Sequence, residues 1–252
     1  ALRCKAVPDG DTWILNGTKM WVTNGVRASI VMLLARTPDD RITCFIVEKE
    51  PGSSFEGISV SKTIPKLGYK GLETVEMAYV DHRVPDANML GGADGMGNGL
   101  RYALSALELG RINIAARAVG VGQAAFDAAM RYAQERETFG VPIFEHQAIQ
   151  FKLAEMATKL QAARLMTYDA ADKYDRGDRI DLEAGMAKLF ASEAAFEIAS
   201  DALRIHGGNG FTQEYDVERY FRDTPLMIIG EGTSEVQKMV IARKLLERHA
   251  ID

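Results

Sequence analysis

The run AGMAKLFASEAAFEIASDALRI, residues 184–205, decides the fold. Within it Ala184, Ala187, Ala191, Ala194, Ile198, Ala202 and Ile205 recur at steps of 3, 4, 3, 4, 4 and 3, which draws one apolar stripe along an α-helix. Most members of the stripe are small, so a neighbouring helix is able to approach closely, and a bundle is implied. Upstream of it, Leu100, Ala103, Leu104 and Leu107 open a helix predicted over about 100–134. Leu153, Met156, Leu160, Ala163 and Thr167 share a face of a second, predicted over about 145–174. A fourth helix is expected from Ser234, where Ser234-Glu235-Val236-Gln237 has capping-box form, to about Arg248.

Towards the N-terminus the composition changes. Five of the seven prolines precede residue 86, among β-prone runs such as Trp13-Ile14-Leu15 and Met20-Trp21-Val22-Thr23. Asn16-Gly17 and Asn24-Gly25 follow these runs and signal hairpin turns. Ile30–Ala35, Ile42–Val47 and Thr74–Val80 read as further strands. The expected fold class is therefore α+β: a β-barrel or sandwich domain over residues 1–92, followed by an up-down four-helix bundle over residues 93–252.

The 252 residues are 47% hydrophobic and 26% charged, which excludes wholesale disorder. Lys+Arg number 30 against Asp+Glu 35, a net charge of -5 with no basic run, so no nucleic-acid partner is expected. Only Cys4 and Cys44 occur, without metal-ligand spacing, and His82, His146, His206 and His249 are scattered. No metal site and no disulfide framework is expected, and reduced surroundings, bacterial cytoplasm or mitochondrial matrix, fit best. The longest apolar run, Ile30 to Ala35, is far below the roughly 20 residues of a membrane span, so a soluble chain is expected. The glycine-rich stretch Gly91–Gly99 lacks the Lys-Ser/Thr of a P-loop and reads as a connector.

Three polar constellations invite chemistry. Arg136-Glu137-Thr138-Phe139-Gly140 with His146-Gln147 brackets a turn between two helices, either a plain connector or a hold for a phosphate or a heterocycle. In His206-Gly207-Gly208-Asn209-Gly210 one glycine is explained by helix capping, and the others mark a loop or a close approach to something flat. In Gly230-Glu231-Gly232 a carboxylate stands between two glycines just before a helix. Flanking glycines clear space for a substrate to reach a proton-abstracting base, although a turn Glu favoured by the helix dipole has the same pattern.

Taken in order and spacing, these motifs resemble the acyl-CoA dehydrogenase family across essentially the whole chain. Asn16–Gly25 is similar to the signature of the family's middle domain, and Glu108-Leu109-Gly110-Arg111, Arg136–Gly140, His146-Gln147, Ile205–Gly210 and Glu231–Gln237 match in sequence. The resemblance implies an FAD enzyme that oxidises an acyl-CoA thioester to the trans-2-enoyl-CoA and passes electrons to an electron-transferring flavoprotein. By it, Glu231 is the base that removes the α-proton, Trp21 and Thr23 contact the flavin, and Thr233 and Glu235 sit by the same FAD. Arg136, Thr138, Phe139, His146, Gln147, Arg204, Gly207 and Gly208 would reach the FAD of a neighbouring subunit, so a homodimer or homotetramer is implied. Glu108, Arg111 and Gly232 fall where relatives contact substrate.

Some branches place the base immediately before the position of Arg111, and here that residue is Gly110. Glu rather than Asp at 231 separates the chain from the nitroalkane oxidases, and Arg204 stands where many relatives have Gln. The family's N-terminal helical domain and first flavin loop are expected to be missing. Two other readings remain open: an acyl-CoA oxidase on the same scaffold, and a non-catalytic helical-bundle fragment.

Overall fold

The structure is a computed structural model that describes residues 2–250. It divides into two compact units. One holds the described residues up to Lys66 together with Lys70–Ala106; the other holds Leu67–Tyr69 and the described residues from Leu107 on.

In the first unit β1 (Lys5–Asp9), β2 (Thr12–Thr23), β3 (Ile30–Arg36), β4 (Ile42–Glu48), β5 (Ser54–Phe55), β6 (Ile58–Val60) and β7 (Thr74–Pro85) form one sheet. Its order is β4-β3-β1-β2-β7-β6-β5, mixed because β1 runs parallel to β3 while the other pairs are antiparallel. Alternation explains which face turns in: Trp13 and Leu15 on β2, Leu33 and Ala35 on β3, and Val75, Met77 and Tyr79 on β7 are buried in one core with Phe45 and Val47 of β4. The Trp13 and Phe45 rings meet at 5.5 Å although two strands separate β2 from β4, so the sheet curls around that core.

The two Asn-Gly pairs behave differently. At Asn24-Gly25 the chain does turn, with Ala28 N–H donating to Asn24 O at 2.7 Å. At Asn16-Gly17 the expected hairpin is absent, and β2 runs straight on. Both flanks of β2 are occupied there, by β1 and β7, so the pair makes a bulge instead. Asn16 Nδ2 donates to Asp81 Oδ1 and Asp81 N–H donates back to Asn16 Oδ1, both at 2.9 Å. Gly17 lies at φ +140°, and a β-carbon on it would stand 2.7 Å from Cys4 Cα.

The second unit follows the helical periodicity. After α1 (Gly99–Glu135) a small hairpin, β8 (Glu137–Thr138) and β9 (Val141–Pro142), leads into α2 (Gln147–Asp175) and α3 (Asp181–His206). Two short helices that the periodicity does not reveal, α4 (Val217–Asp223) and α5 (Pro225–Ile229), precede α6 (Ser234–Arg248). One core cluster joins late α1 (Ala125, Ala129), early α2 (Leu153, Met156) and late α3 (Ile198, Ala202); another joins early α1 (Ala115, Ala118), late α2 (Ala163, Ala170) and early α3 (Ala184, Ala187). Neighbouring helices therefore run antiparallel. Every member of the quoted stripe is buried.

An ion-pair latch ties the end of α6 to the start of α3. Arg248 donates to Asp181 at 2.9 Å and to Glu183 at 2.8 Å, and Arg179 reaches Asp181 at 2.7 Å. Burial alone would raise Asp181, but hydrogen bonds from Arg179 and Arg248 bring it down to about 2. Glu183, bonded by Arg248 against the opposing effect of burial, is likewise held at about 2. At the other end of α6 the cap is Thr233, not Ser234: the Thr233 hydroxyl accepts from Val236 N–H at 3.4 Å. Ser234 is buried inside the first turn, and Gln237, expected to reach back to the cap, turns to the preceding loop instead.

Candidate active site

The loop between α5 and α6 holds Gly230-Glu231-Gly232. Glu231 is a non-glycine residue at φ 54°, and Gly232 follows at φ 90°. Two successive left-handed residues make a tight corner that only glycine adopts freely, so the loop needs outside support. Lys188 Nζ, from α3, donates to Ile228 O at 3.1 Å and to Gly232 O at 2.8 Å. Gln237 Nε2, from α6, donates to Glu231 O at 3.0 Å and to Gly232 O at 3.3 Å. Both side chains are fully buried.

On its side-chain face Glu231 lies against α1. A β-carbon on Gly110 would stand 2.6 Å from Glu231 Oε2 and 3.0 Å from Cδ, so the missing side chain is what admits the carboxylate. Burial pulls the Lys188 ammonium down to about 8, against the attraction of Glu193 and with the help of Arg111. Arg111, one residue beyond this glycine, is buried with Nε unpartnered, and Ser234 Oγ and Gln237 Oε1 are buried and unpartnered as well. Glu108 lies one turn earlier on α1, half-buried. Thr233 caps α6, and the exposed Glu235 carboxyl is held low by a backbone hydrogen bond and by the Thr233 hydroxyl. Glu231, Gly232, Thr233, Arg111 and Gly110 thus form one neighbourhood, to which the sequence reading adds neither Lys188 nor Gln237. A lysine inside an otherwise apolar helical face was the available signal for the first.

A second group gathers at the far end of α1. Phe139 and Gly140, at φ 54° and 82°, form the tip of the β8–β9 hairpin. Thr138 Oγ1 and His146 Nε2 are 2.8 Å apart, and the Phe139 ring stands edge-on to His146 at 6.0 Å while being 98% exposed. Arg136 and Gln147 are exposed beside them. One turn back, Tyr132 accepts from Asn209 Nδ2 at 2.9 Å and stacks on the buried His206 at 4.2 Å, which brings Gly207 and Gly208 to the same end. A β-carbon on either glycine would meet nothing within 4 Å. Arg204 is exposed and paired with Asp201 at 3.3 Å. Gly110 and Tyr132 are separated on α1 by about 33 Å at ~1.5 Å per residue, so one chain does not bring this group to Glu231.

Trp21 and Thr23 lie on β2 in the first unit. Trp21 has φ 63° at the second bulge of the strand and its ring is 65% exposed; Thr23 is exposed too, while Val22 between them turns towards the core. An aromatic ring held open on a strained backbone suits a flat heterocycle such as a flavin, and, in the other unit, the open backbone at Gly207-Gly208 by itself suits a close-lying group such as a phosphate. Among the described residues no three His, Cys, Asp or Glu side chains gather as a metal site requires.

Fold and site define a class: a curled mixed sheet followed by an antiparallel helical bundle that presents one carboxylate over a glycine. Residues 2–81 match the acyl-CoA dehydrogenase middle domain and residues 97–246 the acyl-CoA dehydrogenase C-terminal domain. The chain belongs to the acyl-CoA dehydrogenase family. It is 43% identical to an acyl-CoA dehydrogenase of Bacillus subtilis over 98% of this chain and 64% of that protein. It is 41% identical to the (2S)-methylsuccinyl-CoA dehydrogenase of Cereibacter sphaeroides, over 98% and 46%. The structure of butyryl-CoA dehydrogenase from Megasphaera elsdenii superposes with a TM-score of 0.91 at 38% identity, covering 97% of this chain and 63% of that one. The chain thus spans about half to two thirds of the length of these relatives.

Proposed function

We propose that the chain forms the middle and C-terminal parts of an FAD-dependent acyl-CoA dehydrogenase, converting an acyl-CoA thioester to its trans-2-enoyl-CoA. The observation that carries this reading is the Glu231 carboxylate, seated over a residue without a side chain and flanked by two glycines on a pinned corner. A thioester acidifies its α-carbon only modestly, so the base must meet the C–H with little reorientation, and a fixed seat provides that.

In the proposed reaction Glu231 takes the α-proton on its carboxylate. Its backbone N–H hydrogen-bonds the thioester carbonyl, which stabilises the negative charge that develops there. Bound FAD supplies the acceptor for the β-hydride, at flavin N5. Trp21 and Thr23 would hold the flavin ring, Thr233 and Glu235 would belong to the same cofactor's surroundings, and Arg111, with Glu108 and Gly232, would serve the thioester. Arg136, Thr138, Phe139, His146, Gln147, Arg204, Gly207 and Gly208 serve the cofactor of a second subunit, in a homodimer or homotetramer. The ~33 Å along α1 between those residues and Glu231 supports that division. An electron-transferring flavoprotein is the proposed acceptor of the electrons.

The test is an anaerobic titration of the FAD-incubated protein with acyl-CoA thioesters. Bleaching of the flavin absorbance by the parent, and none by Glu231→Gln with FAD still bound, is the expected pair. Bleaching by both would remove Glu231 from the role, and in a separate aerobic assay oxygen consumption with peroxide formation would mark an oxidase.

A further inference from the structure

We infer that Lys188 and Gln237 are positioning residues for Glu231: from two different helices they fasten the carbonyls around it and so fix where its carboxylate sits. The inference rests on the reading of Glu231 as the base.

Four hydrogen bonds from these two side chains fall on three carbonyls within five residues, Ile228, Glu231 and Gly232. Gly232 O receives both donors, which fills both of its lone pairs and ties α3 and α6 to the same carbonyl. Each donor also forgoes something. Lys188 buries an ammonium that pairs with no carboxylate among the described residues, Glu193, Glu235 and Glu231 attracting it only at longer range, where a neutral hydroxyl or amide would satisfy the same carbonyls with a smaller desolvation cost. Gln237 leaves its Oε1 buried without a partner, so its amide is oriented by the two donations alone.

What these sacrifices secure is the corner. A non-glycine residue remains in the left-handed region only when its surroundings over-determine it, and here Lys188 and Gln237 do so from the carbonyl side. Gly110 receives the carboxylate on the other side. With the carbonyls released, the peptide on either side of Glu231 is free to rotate towards ordinary dihedrals, and the carboxylate swings off its seat. Lys188 and Gln237 thus act on the reaction through the backbone, without touching substrate.

The test compares the full chain, with FAD, as parent, Lys188→Met, Gln237→Glu and Glu231→Gln. Lys188→Met keeps the length and removes the donor; Gln237→Glu turns an acceptor towards two carbonyls. Amide hydrogen exchange and the 13C resonance of the Glu231 carboxyl, assigned by its loss in Glu231→Gln, report the corner without turnover. Both variants are expected to raise exchange at residues 229–233 about tenfold or more, with protection in α2 and mid-α3 unchanged, and to shift the resonance. Flavin reduction should fall about ten- to a hundredfold in kcat with KM within about twofold. Unchanged exchange and resonance in both variants, or exchange raised equally throughout the helical unit, would overturn the inference. Should Lys188→Met not fold, Gln237→Glu decides by the same outcomes. If Glu231→Gln still reduces flavin, the base reading fails by itself, while exchange and resonance still decide whether the corner is held by Lys188 and Gln237.

Discussion

The β unit and the helical unit both break local rules, but in different materials. Around β2 in the β unit the exceptions are backbone ones: Gly17 at φ +140°, Trp21 at 63° and Asp81 at 50°, all at or beside the bulges of the strand. Their side chains are ordinary, and the result is an aromatic ring and a hydroxyl held outward. In the helical unit most exceptions are buried polar groups, namely Lys188, Gln237, Ser234 and Arg111, set in helices of regular geometry. A sheet can re-aim a side chain by inserting one residue into a strand. Glu231 stands instead on a loop between two helices, and the bundle directs it with donors from α3 and α6.

The largest effect is expected at Glu231 itself. If the helical unit carries the chemistry, Glu231→Gln should slow flavin reduction about a thousandfold or more while leaving the melting temperature within about 2 °C. Equal losses of activity and stability would instead make the buried polar set a folding device. Next, Gly110→Ala should separate the two. Alanine favours a helix over glycine by up to ~1 kcal/mol, yet the new methyl displaces the carboxylate, so stability should hold or rise while the rate falls about a hundredfold.

For the β unit, Gly17→Ala forces both an unfavourable φ and a collision with Cys4, which should cost about 2 kcal/mol in denaturant unfolding of that unit. The same substitution at Gly120, on an exposed part of α1 where a β-carbon meets nothing, should stabilise slightly. The smallest effect is one of pH. Asp181 and Glu183 both titrate near 2 in the fold, below their ordinary values near 4, so their latch contributes fully above about pH 5. That contribution should disappear as pH falls from about 4 to 2, seen as an acid-side drop in helical melting that Arg248→Met reduces, leaving the part that Arg179 supplies through Asp181.

Much of this was legible in the residues themselves. The alanine stripe of α3 predicts a closely packed helix because a 3.6-residue period leaves no other way to bury it, and the strands at Ile30, Ile42 and Thr74 announce themselves as β-branched runs between turns. Glu231 was visible through its flanking glycines. Asn16-Gly17 misled because a turn signal is local, whereas the bulge depends on strands paired on both sides. The cap moved from Ser234 to Thr233 because burial of the serine on the loop side decides between two adjacent hydroxyls. Lys188 and Gln237, far apart in sequence, acquire meaning only when α3 and α6 bring them to one carbonyl. The short helices α4 and α5 contain too few turns to show a period.

The closeness of Gly110 to the Glu231 carboxylate has a consequence for how such a site can change over generations. The space above α1 has one seat and two residues able to claim it. A long acidic side chain at 110 would have to displace the one at 231, and both together would crowd like charges into one volume. Moving the carboxylate from one element to the other therefore takes two substitutions, and each intermediate has either two claimants or none. The arrangement is a ratchet: once glycine occupies 110, selection at 231 has no single step by which to leave.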